Sequence, residues 1–125
     1  MSTSAMVYEI NDSNVRAVYV HWDGGKVLNN CLKDHYVGNA EKLNELFSDG
    51  YVSDLHSDEI IRRNSEAKII VESIDELSLI IESRDYVDYI HVIDGANVIE
   101  YNLEKLSIMN VSKKIQKLAK SVLSN

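Results

Sequence analysis

The run Val15-Arg16-Ala17-Val18-Tyr19-Val20-His21-Trp22-Asp23-Gly24-Gly25 decides how the rest of the chain is read. Its β-branched and aromatic residues suit the pleated, half-buried setting of a strand, and the paired glycines permit the tight reversal that ends it. Met6 to Ile10 is a second β-rich segment, separated from the first by Asn11-Asp12-Ser13-Asn14, whose side chains make local turns. The spacing predicts a β-hairpin in which Trp22 is the apolar anchor where strand meets turn.

Downstream of Gly25, Leu28, Cys31, Leu32, His35 and Tyr36 recur at three and four residues and form one helical face. Asn39 is a good N-cap for a second helix with Ala40, Leu43, Leu46 and Phe47 as its stripe, closed by Gly50. Tyr51 to Leu55 reads as irregular, and Ser57 to Arg63 as a short helical turn with acids first and bases last. Ala67 to Glu72 reads as a buried strand. Ser73 and Glu76 then have capping-box spacing ahead of Leu77, Ile80 and Ile81. Tyr86 to Ile93 and Val98 to Leu103 flank Asp94-Gly95-Ala96-Asn97. A turn of Asp94 and Gly95 alone sets Val92 against Asn97, whereas a four-residue loop sets Ile90 against Tyr101, Val92 against Ile99 and His91 against Glu100. The second register gives the cleaner apolar face and is preferred, with His91 on the exposed side. Ser112 is expected to cap a last helix, running to Asn125, whose lysines face outward.

These elements predict a single α+β domain over residues 1–125. Its sheet is expected to be small and mainly antiparallel, of four or five strands, with helices packed on one face and an amphipathic helix at the C-terminus. A chain of 125 residues that is 45% hydrophobic and 26% charged has the composition of a globular protein. No apolar run approaches the roughly 20 residues that a spanning helix requires, and the N-terminal residues lack the blocks of a secretory signal, so the cytoplasm is the expected compartment. The lone cysteine, Cys31, agrees with a reducing environment.

Charge is divided along the chain. Residues 1–110 carry 20 acidic and 9 basic groups, whereas residues 111–125 carry four lysines and no acid. An acidic body repels nucleic-acid phosphate and favours a basic protein partner, although such charge also serves solubility alone. The lysine face of the last helix has an anionic surface as its alternative to plain solvation.

His21 and Asp23 stand two apart, so on a continuing strand they share a face, and a histidine oriented by a carboxylate is the geometry of a general base. The competing reading keeps Trp22 in the core and Asp23 on the turn amides. Metal binding needs further ligands from His35, His56 or His91, which stand at no recognised spacing. Cys31 lies in an apolar stripe and reads as a buried structural thiol. Gly24-Gly25-Lys26 lacks both phosphate-loop patterns, so no cofactor is implied.

The strand Val15 to Gly24 with its His-Trp-Asp-Gly end, the helix Leu28 to Tyr36, the helix Glu41 to Leu46 with Gly50, and the late hairpin Tyr89 to Tyr101 together resemble a family of small uncharacterised bacteriophage proteins. The likeness is carried by residues 15–55. Relatives have a longer segment between the motif's glycine and the first helix, and the lysine-bearing helix from Ser112 is additional. The resemblance implies a phage setting and no particular activity. The expected function is that of an accessory protein that binds a host or defence protein through its acidic surface, with Trp22 among the binding residues. The alternatives are a sponge for a nucleotide signal, oligomeric or not, with Lys26, Arg62 and Arg63 as phosphate contacts, and a small hydrolase using His21 and Asp23.

Overall fold

The computed structural model describes residues 3–124, so the readings of Met1, Ser2 and Asn125 fall outside it. The predicted first hairpin is present: β1 (Ala5–Ile10) and β2 (Val15–Val20) pair antiparallel, Val7 opposite Val18. Asn11 shapes the connection, its Oδ1 accepting from the amides of Ser13 and Asn14 at 3.0 and 2.9 Å. A glycine-started helix, α1 (Lys26–Cys31), runs into a wider turn over Leu32–Tyr36, where the Val37 amide reaches back five residues to the Leu32 carbonyl. Asn39 caps α2 (Ala40–Leu46), its side chain accepting from the Lys42 amide.

The stretch read as irregular and then helical is extended. Here β3 (Tyr51–Val52) and β4 (Asp54–Leu55) are followed by β5 (Ile60–Ile61), which pairs with β4. The helical reading of Ser57 to Arg63 is thus overturned, because Ile60 and Ile61 bury apolar surface by pairing across a short reversal rather than by helical spacing. Next come β6 (Ile69–Val71) and α3 (Ile74–Ser83), whose cap Ser73 accepts from the Glu76 amide as its spacing predicted. The last hairpin joins β7 (Tyr89–Asp94) to β8 (Asn97–Asn102) in the preferred register, Ile90 opposite Tyr101 and His91 opposite Glu100. Asp94 and Asn97 also pair, so the turn shrinks to Gly95 and Ala96, with Gly95 supplying the positive φ of 62°. The final helix, α4 (Ile108–Ala119), begins earlier than expected: Ser107 is its cap, while Ser112 is buried within it and donates to Glu82 at 3.1 Å.

Five strands lie in the order β3-β2-β1-β7-β8, and β6 also pairs with β2. The sheet is mixed, not mainly antiparallel, since β1 runs parallel to β7 and β2 parallel to β3. Nor do the helices share one face. Met6, Tyr8 and Ile10 point into a core closed by Leu77 and Ile81 of α3 and Val111, Ile115 and Ala119 of α4. Ala5 and Val7 point the other way, into a core closed by Leu28 and Leu32 near α1 and Leu43, Leu46 and Phe47 near α2. All six residues of β1 are buried. A strand buried on both sides needs a helical layer on each, and each large apolar side chain so covered contributes about 1.5–3 kcal/mol. The one acid on this strand, Glu9, is neutralised by its cross-strand neighbour Arg16 at 2.7 Å.

A candidate binding surface at the end of the second strand

Beyond Val20 the backbone continues along β3, with the amides of His21 and Trp22 donating to the carbonyls of Val52 and Ser53 at 2.9 and 3.0 Å. Gly50, just before β3, lies so close to the 66–67 backbone that a Cβ there would stand 2.3 Å from the Ala67 carbonyl oxygen. Asp49 holds the same crossing by accepting from the amides of Tyr51 and Glu66. Its hydrogen bond from the Ser65 hydroxyl, followed by the one from the Glu66 amide, lowers its pKa.

The turn after Trp22 is pinned as firmly. Asp23 adopts φ 55°, and the Gly24 amide donates to the Thr3 carbonyl at 2.7 Å. A Cβ on Gly24 would meet Ala5 at 2.8 Å, so only glycine fits against the start of β1. The Gly24 carbonyl faces Nε2 of His91 at 2.5 Å, and Asn29 of α1 lies 3.0 Å from Nδ1 of the same ring. His91 is completely buried, not exposed as its place opposite Glu100 suggested. It sits on the α1 side of β7, a face that is covered by a second helical layer and not open to solvent. Burial lowers its pKa, with the Gly24 carbonyl and Glu100 opposing, and so favours the neutral ring. A neutral ring donates once, and Nε2 gives that hydrogen to the Gly24 carbonyl, while Nδ1 faces the side-chain amide of Asn29.

On this rigid frame stands a group of aromatic rings. Tyr19 and Tyr51 are register partners with centroids 5.4 Å apart, and Tyr86 lies 6.2 Å from Tyr19 on the other side. His21 stacks on Tyr51 at 6.2 Å and meets Trp22 edge-on at 5.0 Å. Desolvation, first among the influences on Tyr19, raises its pKa, and the intact phenol donates to Nδ1 of His21 across 2.8 Å. Trp22 is 41% exposed and Tyr86 62% exposed. Trp22 is therefore not the core anchor expected from its neighbours; the strand ends at Val20 and the ring turns to the rim of the cluster.

His21 turns Nδ1 to Tyr19 rather than to Asp23, which is exposed on its turn, so the two are not joined as a base and its orienting carboxylate. Lys26 borders a hollow of about 200 Å³ with Thr3, Asp23 and Tyr89. Arg62 has a different task, its guanidinium donating to the carbonyls of Glu45, Leu46 and Tyr51 and so finishing the C-terminal end of α2. Arg63 is exposed, and its amide donates to Ser53 Oγ at 2.8 Å. Cys31 lines a separate hollow of about 230 Å³ with His35 and His56, and burial raises its thiol pKa. Among the described residues no three His, Cys, Asp or Glu side chains are grouped to hold a metal ion. No helix is long and apolar enough to cross a membrane among those residues.

Tyr51 and Tyr86 are the members of the cluster that motif reading missed. The available signal was compositional: seven of the nine aromatic residues are tyrosine, the amphipathic ring suited to half-exposed surfaces. Fold and surface together define a mixed-sheet α+β domain that presents an aromatic patch from a fixed turn. The chain matches no protein-family model. It matches no curated protein and no solved structure.

Proposed function

We propose that this protein acts by binding another protein through the aromatic surface at the end of β2. In the phage setting implied by the His-Trp-Asp-Gly resemblance, it is an accessory protein of the host cytoplasm, and its partner is a host or defence protein that it inhibits or modulates. The observation that carries the reading is the exposure of Trp22 and Tyr86 beside Tyr19, His21 and Tyr51. Rigid aromatic side chains dominate binding energy at protein interfaces because they bury much area at little entropic cost. Glu66 lies close enough to raise the Tyr19 pKa, and Asp23 follows Trp22 directly, so negative charge borders the rings. Aromatic faces and carboxylates both favour arginine and lysine, which selects a basic patch on the partner. The test is affinity capture from expressing cells with the native chain and with Trp22→Ala/Tyr86→Ala. A partner retained by the native chain and lost by the folded double variant supports the reading; equal capture by both overturns it.

A further inference from the structure

A further hollow lies away from the aromatic patch, where the start of α3 meets the outer face of α4. It measures about 440 Å³ and is lined by Ile74, Lys113, Gln116, Lys117 and Lys120. That volume falls in the range of small-molecule sites, roughly 300–1,000 Å³. Lys113, Lys117 and Lys120 follow one another at four and three residues, so two lysines on one face of α4 and the lysine that ends it all line the hollow. Among the described residues none of them has a carboxylate within 4.0 Å, in a chain where acids outnumber bases 20 to 13.

The nearby carboxylate of Glu82 is taken by the hydroxyls of Ser78 and Ser112, at 2.5 and 3.1 Å. Ser112 Oγ also accepts from Gln116 Nε2 at 2.9 Å, which fixes that amide on the wall of the hollow and leaves its oxygen as an acceptor. The helix end contributes little, since the Ile74 amide already donates to Ser124 and the Glu76 amide to Ser73. Positive charge therefore comes from the lysines alone, beside an apolar wall made by Ile74.

We infer that this groove binds a small phosphate-bearing ligand, with two or three phosphoryl groups held by Lys113, Lys117 and Lys120 and a donor group of the ligand met by Gln116. Ammonium groups bind phosphoryl oxygens as point charges through short charge-assisted hydrogen bonds. The site is independent of the aromatic surface, and either stands if the other fails.

Calorimetric titration of the full chain with ATP, inorganic tripolyphosphate and adenosine, at about 50 mM salt where screening is weak, tests it. Both phosphorylated probes should bind and adenosine should not. Lys117→Gln should weaken binding about tenfold, as expected for one lost charge-assisted contact. Lys114→Gln, whose side chain does not line the hollow, should leave it unchanged. Absence of binding at millimolar ATP and tripolyphosphate overturns the inference, as does equal weakening by Lys114→Gln. Binding to phosphatidylserine vesicles without binding to the soluble phosphates also overturns it, by making the lysine face a membrane-surface contact.

Discussion

His91 in the middle of β7 holds the Gly24 carbonyl at 2.5 Å, so a residue distant along the chain fixes the turn that follows Trp22. That contact adds to the backbone bonds from His21 and Trp22 to Val52 and Ser53 that place the aromatic surface. Preorganised aromatic residues bind better than mobile ones because less conformational entropy is lost on association.

His91→Ala should lower stability by about 3 kcal/mol, combining a cavity with an unsatisfied buried carbonyl. Chemical denaturation at neutral pH measures it. A cost below about 1 kcal/mol would show that the turn is held without the ring.

The same residue sets a pH dependence. Burial holds its folded pKa below that of a free imidazole, so the unfolded chain takes up a proton more readily than the folded one. The stability linked to His91 is complete above about pH 6.5 and is lost as the pH falls below it, until the buried ring itself titrates. Melting temperatures of the native chain and His91→Gln should converge between pH 7.5 and 5, where their difference isolates the histidine. A gap that widens on acidification would contradict the assignment.

Trp22→Ala should cost only about 1 kcal/mol of stability, well short of the roughly 3–5 kcal/mol typical of a buried tryptophan, because 41% of the residue is already exposed. Partner affinity should fall at least about tenfold, as at an interface hot spot. Thermal melts and a binding isotherm on the same preparation separate the two effects.

Tyr8→Phe should leave stability unchanged or raise it slightly. The Tyr8 hydroxyl is buried without a hydrogen-bond partner among the described residues, and desolvation pushes its pKa upward. Removing an unsatisfied buried hydroxyl relieves a desolvation cost on the order of 1–3 kcal/mol while the ring keeps its packing. A clear loss of stability on denaturant unfolding would reveal a partner for this hydroxyl.

Arg62→Ala should destabilise the fold by about 1–2 kcal/mol, since three carbonyls around the end of α2 lose a charged donor that is only partly exposed. ATP titration should be unaffected, which separates this arginine from the lysine groove. A changed ATP affinity with unchanged stability would restore Arg62 as a ligand contact.

The amino-acid sequence by itself determined several pieces of local structure, though not the β4–β5 pairing or the cap of α4. The Asn11 to Asn14 turn, the Asn39 and Ser73 caps and the register that sets His91 against Glu100 depend on neighbours close along the chain, and alternation or capping chemistry specifies them. Only the tertiary structure decided that β1 pairs parallel with β7 and is covered on both faces. Strand order depends on contacts more than 80 residues apart, for which no local pattern speaks. That one choice moved His91 from solvent to the core. Trp22 went the opposite way because β2 stops at Val20, two residues before the apolar run ends, and the rings of Tyr51 and Tyr86 arrive from distant segments to meet it there. The lysine groove has the same origin: helical spacing aligned Lys113, Lys117 and Lys120, but only the packing of α4 beside α3 set Ile74 against them.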